Sequence, residues 1–131
     1  SFSTGTSWGT FSIMIPITFP IAIALAEKTG ASLMNTALVS IGAAIGGAIF
    51  GDHCSPISDT TILSSTGASC PHLEHVATQI PYAVFVMLVS AVGYLVAGIF
   101  DNVIAGLISS LVVFFIAYEI VSKYWKPKEI K

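Results

Sequence analysis

Arginine is missing from this 131-residue sequence, and 5 lysines supply all of its positive side-chain charge. Charged residues of both signs make up 9% of the chain, against about 25% in a soluble domain, too few to cover a water-facing surface. With a net charge of −2 and no arginine, nothing in the chain suits a nucleic-acid partner. Cysteine is scarce as well. Cys54 and Cys70 flank a polar segment, and two thiols without a secretory context argue against a structural disulfide. The chain opens Ser1-Phe2-Ser3-Thr4-Gly5, with no methionine, charged leader or signal peptide. What is abundant is apolar: 54% of residues are hydrophobic and the mean hydropathy is +0.86, which places the chain among membrane proteins. At about 20 residues per crossing, its length allows four spans or so. That is small for a complete polytopic machine, and a C-terminal fragment of a longer protein is expected.

Four apolar segments carry the spans: 8–26, 32–50, 80–100 and 103–122. Pro16 and Pro20 predict a kink in the first rather than a break, because membrane helices tolerate proline where neighbours satisfy the freed carbonyls. The connections at 27–31 and 101–102 are short, whereas 51–78 is long and contains Asp52, His53, Asp59, Glu74 and His75. Within it, 60–68 predicts a half-helix with Ser58 or Asp59 as its cap. Lys123, Lys126, Lys128 and Lys131 follow the last span, so the positive-inside rule expects the 123–131 tail in the cytoplasm. The 101–102 turn then faces outside, 70–78 inside and 27–31 outside. Tyr118, Tyr124 and Trp125 fit an inner aromatic belt, and Trp8 does not. Gly42-x-x-x-Gly46 and Gly47-x-x-x-Gly51 predict close helix packing, ordinary in itself, that also lets this helix approach the segment beginning at Thr4.

Gly51–Thr61 (GDHCSPISDTT) carries the chemistry. Gly51 and Pro56 disfavour continuous helix, and a break over 51–59 at membrane depth must turn its freed carbonyls to a cavity or a site. Broken helices of secondary transporters hold cations this way. Between Asp52 and Thr61 the chain offers two carboxylates and four hydroxyls, an oxygen set that suits sodium. A surface loop with Asp52 solvated and Asp59 as a cap is the plain alternative. Desolvation favours the protonated form of a carboxylate, so a proton and a sodium ion would compete for the same oxygens, and alternating access would make that competition an exchange. Asp52 is the first candidate for the coupled group, because it stands at the negative end of a helix dipole, where a cation or proton is favoured. Asp59 reads as a cap and second ligand, with Ser55, Ser58 and Thr60 beside them. Thr4, Gly5, Thr6 and Ser7 form a second polar cluster, either an N-cap or a re-entrant tip facing the break. Cys70-x-His72-x-x-His75 matches no zinc spacing, and His53, His72 and His75 are pH-sensing candidates in or near a cytoplasmic loop.

Thr4-Gly5-Thr6-Ser7-Trp8-Gly9-Thr10-Phe11, followed downstream by GDHCSPISDTTILSSTGA over Gly51–Ala68, resembles the C-terminal part of the NhaC-type Na+/H+ antiporter family, over Ser1 to about Val121. That resemblance implies an all-α transporter of two inverted repeats, each with a re-entrant hairpin and a broken helix, moving as an elevator. Here 1–7 would be a hairpin tip, 8–26 its outgoing arm and 32–68 the broken helix, with sodium at Asp52, Ser55, Asp59 and Thr6. The expected function is Na+/H+ antiport in the cell membrane without a cofactor, with Na+- or H+-coupled malate/lactate exchange as the alternative. An intramembrane metal enzyme and a purely structural subunit are disfavoured, the first by ligand spacing and the second by two aspartates beside a helix break. Expected partners are the bilayer, Na+ and H+, the N-terminal repeat of the same protein, and a second copy in a homodimer.

Overall fold

Gly30 ends the first helix in the left-handed region (φ 72°), its amide donating to the Ala26 carbonyl, a conformation that glycine adopts without strain. Ser32 then caps the second helix by accepting from the Asn35 amide. Asp101, from far along the chain, receives the Ser32 amide on its carboxylate at 2.7 Å, and its carbonyl accepts from the Asn35 side chain. The computed structural model that shows this describes residues 1–124, all helix and turn, and the tail expectations for Trp125, Lys126, Lys128 and Lys131 lie outside them. In order the elements are α1 (Ser7–Thr29), α2 (Leu33–Cys54), α3 (Asp59–Gly67), α4 (His72–Ile99) and α5 (Val103–Tyr124). This is an all-α architecture in which α1, α2, α4 and α5 are each long and apolar enough to cross a membrane.

Helices cover the four apolar runs, α1 extending past both ends, α2 and α5 past the C-terminal end and α4 past the N-terminal end. α1 continues through Pro16 and Pro20 as one helix to Thr29. α2 runs through Gly51, Asp52 and His53 to Cys54, so the interruption expected over 51–59 narrows to Ser55–Ser58. Pro56 explains where it falls: it lacks an amide hydrogen and its ring clashes with the preceding turn, whereas Gly51 alone does not stop a helix. α4 begins at His72 and includes Glu74, His75 and Pro81, so the two histidines expected in a loop stand on its first turn.

Packing rests on small side chains. The buried apolar residues are mostly alanines (Ala22, Ala26, Ala37, Ala48 and Ala97), while large ones such as Leu63, Leu73, Leu95, Ile99 and Phe115 lie exposed. This suits a chain whose flanks meet lipid or further protein. Gly42 and Gly46, expected to admit a backbone, instead admit the ring of Tyr94 from α4, whose hydroxyl donates to the Gly42 carbonyl at 2.8 Å. A close backbone approach joins α4 to α5: a Cβ on Gly106 would meet Ala97 at 2.5 Å and the Gly93 carbonyl at 2.6 Å. Gly93-x-x-x-Ala97 against Gly106-x-x-x-Ser110 is the small-residue seam of the molecule.

Candidate ion site

α1 has 23 residues and α2 has 22. At about 1.5 Å per residue, two antiparallel arms of equal length bring the end of α2 back beside the start of α1. The Ser1–Thr6 segment therefore lies against the gap between α2 and α3. Gly5, buried and left-handed (φ +65°), packs so tightly that a Cβ there would stand 2.6 Å from the Ile57 carbonyl oxygen. A Cβ on Gly51 would meet the Phe2 amide and Ser1 at 3.0 Å. Ser55 ties the two strands of the contact: its hydroxyl donates to the Phe2 carbonyl at 2.8 Å and accepts from the Ile57 amide at 3.3 Å. Tip and break thus meet.

The buried polar side chains of the described residues are Asp52, Ser55, Ser58, Thr61 and Ser65, and all lie on the end of α2, the gap and α3. Asp52 is 5% exposed. Its Oδ2 accepts from Thr60 Oγ1 at 2.9 Å, and Thr60 Oγ1 lies 2.8 Å from Ser58 Oγ. Thr60 has one hydroxyl proton and gives it to the carboxylate, so Ser58 donates to Thr60. The chain runs Ser58 to Thr60 to Asp52 and polarises each bond in turn. Asp52 Oδ1, by contrast, is buried with no hydrogen-bond partner, as are Thr61 Oγ1, Ser1 Oγ and one end of the Gln79 amide. A buried oxygen left unpaired costs about 1–3 kcal/mol, more if charged. One carboxylate oxygen is therefore held and the other is left without a partner.

The remaining candidates are placed less centrally. Asp59 is exposed, and its Oδ1 accepts from the Thr60 amide rather than joining the Asp52 chain. Thr6 is the N-cap residue of α1 but makes no side-chain cap bond, and Ser7 opens the helix. Thr4 is exposed and bonds the Ser1 and Thr6 carbonyls. The tip reaches the break through Gly5 and Phe2, not through the hydroxyls of Thr4 and Thr6. His53 is exposed, with Nδ1 3.1 Å from the Gln79 amide nitrogen. Both residues border an apolar groove of about 890 Å³ between α2 and α4 that does not reach Asp52. His72 bonds Pro56 and Ser65, and His75 Nε2 lies 3.2 Å from Ser64 Oγ. Cys54 and Cys70 are free thiols, and among the described residues no three of His, Cys, Asp and Glu gather as metal ligands.

Sequence reasoning missed one participant. Phe2 acts through its carbonyl, for which no side-chain signal exists.

A protein of Haemophilus influenzae described only as uncharacterized is 50% identical over 112 residues, covering 86% of this chain and 20% of its own length. A second Haemophilus influenzae protein, described as an uncharacterized Na+/H+ antiporter, is 38% identical over 79% of this chain and 21% of its own. The malate-2H+/Na+-lactate antiporter of Bacillus subtilis is 38% identical over 75% of this chain and 20% of its own. The chain thus spans about a fifth of the length of these relatives. No solved structure matches it. Residues 1–99 match the family described as the Na+/H+ antiporter family, and this chain belongs to that family.

Proposed function

We propose that this chain supplies an ion-coupling site of an Na+/H+ antiporter, with Asp52 as the group that takes Na+ and H+ in turn. One observation carries the reading: Asp52 is buried at a helix break, one oxygen held by Thr60 and the other unpartnered. Discontinuous helices of secondary transporters place such oxygens around a cation. Ser55 and the break carbonyls are the nearest further ligands, and Thr61 and Ser1 hold the other unpartnered hydroxyls. The full-length protein would supply the first inverted repeat, and the lysines after α5 would face the cytoplasm.

A second reading is exchange of a small carboxylate coupled to the same ions. It is favoured by the similarity to the Bacillus subtilis malate-2H+/Na+-lactate antiporter and by the first turn of α1, which no side chain caps. Against it stands the absence of arginine to clamp a carboxylate. Everted membrane vesicles carrying the full-length protein separate the two. Added Na+ alone should dissipate a respiration-generated ΔpH. If Na+ alone does nothing while malate with lactate does, the carboxylate reading replaces the first.

A further inference from the structure

His72 is the first residue of α4, and both of its ring nitrogens are engaged. Nε2 lies 2.6 Å from the Pro56 carbonyl oxygen in the gap, and Nδ1 lies 3.0 Å from Ser65 Oγ on α3. The ring thus joins three elements. A carbonyl oxygen has no proton to give, so Nε2 carries the hydrogen whether the ring is neutral or charged. Only the other end changes sense on titration. A neutral ring accepts the Ser65 hydroxyl proton; a charged ring donates to Ser65, whose own proton then goes to the Ile62 carbonyl at 2.9 Å. The titratable groups on the surrounding elements are Asp52, His53 and Cys54 on α2, Asp59 on α3, Cys70 before α4, and Glu74 and His75 on α4. His72 hydrogen-bonds to none of them among the described residues.

The gap itself has few other restraints. Ser55 ties it to Phe2, and Ile57 packs on Gly5. Pro56 has no amide, and among the described residues no backbone amide takes its carbonyl. We propose that His72 is a positioning residue of the ion site: through Pro56 it fixes the backbone between α2 and α3, so that Asp52, Thr60 and the tip keep their register. Its role is to donate one hydrogen bond and does not depend on its charge. The assignment rests on the ion-site reading for its transport readout alone.

Two substitutions of the full-length protein in vesicles test it. His72→Gln keeps an N–H near the Nε2 position, whereas His72→Asn reaches Ser65 but falls short of Pro56. The Asn variant should raise the Na+ concentration for half-maximal ΔpH dissipation about 3- to 10-fold, the size of one lost hydrogen bond, with the maximal rate kept. The Gln variant should match the unsubstituted protein in both, and in its pH profile. Alkylation of Cys54, which is buried beside the gap, gives a second reading that needs no transport: faster in the Asn variant, unchanged in the Gln variant. Equal behaviour of the two variants, or a flattened pH profile with Gln, would overturn the proposal, the latter in favour of pH sensing. If Na+ moves no protons in the unsubstituted protein, the ion-site reading fails by itself, and Cys54 alkylation still decides the role of His72.

Discussion

At Asp52 the two carboxylate oxygens have different surroundings, and that asymmetry is the chemistry of the site. Oδ2 receives a hydroxyl already polarised by a second one, and Oδ1 receives nothing. A buried polar oxygen without a partner is costly, and under the proposed function a proton or a cation would occupy the open oxygen. Whether that occupant can enter and leave depends on how the tip sits on the gap, and there one residue dominates. Gly5 combines a left-handed backbone with a Cβ position 2.6 Å from the Ile57 carbonyl. Gly5→Ala should therefore lift the tip, since the backbone term alone is about 1–2 kcal/mol and the clash adds to it. Alkylation of Cys54 in membranes should accelerate about tenfold, the equivalent of about 1.4 kcal/mol. An unchanged rate would show that the tip does not cover the gap.

The helices are legible in the sequence because continuous apolar runs of span length have few other solutions in a membrane. Their ends are not. Gly51, Asp52 and His53 look like loop residues, yet the backbone continues its hydrogen bonds through them until Pro56 interrupts the ladder. His72–Gln79 looks polar and loop-like for the same reason, and is the first two turns of α4. The meeting of tip and break is one of two readings of Thr4–Ser7, the other being an N-cap, and it is what the family resemblance implies. Its means were not legible, since Ser55 holds a backbone carbonyl and Gly5 a backbone contact. Helix contacts divide similarly. Glycine spacing signalled a close surface on α2; Gly51 there meets the tip at Ser1 and Phe2, whereas the ring of Tyr94 fills the space at Gly42 and Gly46, and a further tight seam lies between α4 and α5. Gly106→Val should force those helices apart at a cost of about 1–3 kcal/mol, lowering the melting temperature of the detergent-solubilised protein. Gly98→Val, at a position with nothing within 4 Å, should leave it nearly unchanged. Equal effects of the two would remove the seam from the account.

On the scale of the whole molecule, this chain spans about a fifth of the length of its relatives. It contains a polar interior in which the gap bonds both the tip and the half-helix, with wide apolar flanks left for lipid or the rest of the protein. α2 alone reaches about 33 Å, enough to cross about 30 Å of hydrocarbon. An untilted α2 would thus put the break near one face of the membrane, and a tilted one would put it deeper. Coupling at Asp52, as proposed, would need a carboxylate shielded from water, and Asp52 is buried within this chain. The most direct test compares Asp52→Asn with Asp59→Asn in the full-length protein, measuring dissipation of ΔpH by Na+ in everted vesicles. Asp52→Asn should abolish the response, because an amide has no titratable proton to release in exchange for Na+. Asp59→Asn, at an exposed carboxylate outside the Thr60–Ser58 chain, should retain most of it. Full activity with Asp52→Asn, or loss with Asp59→Asn alone, would contradict the account.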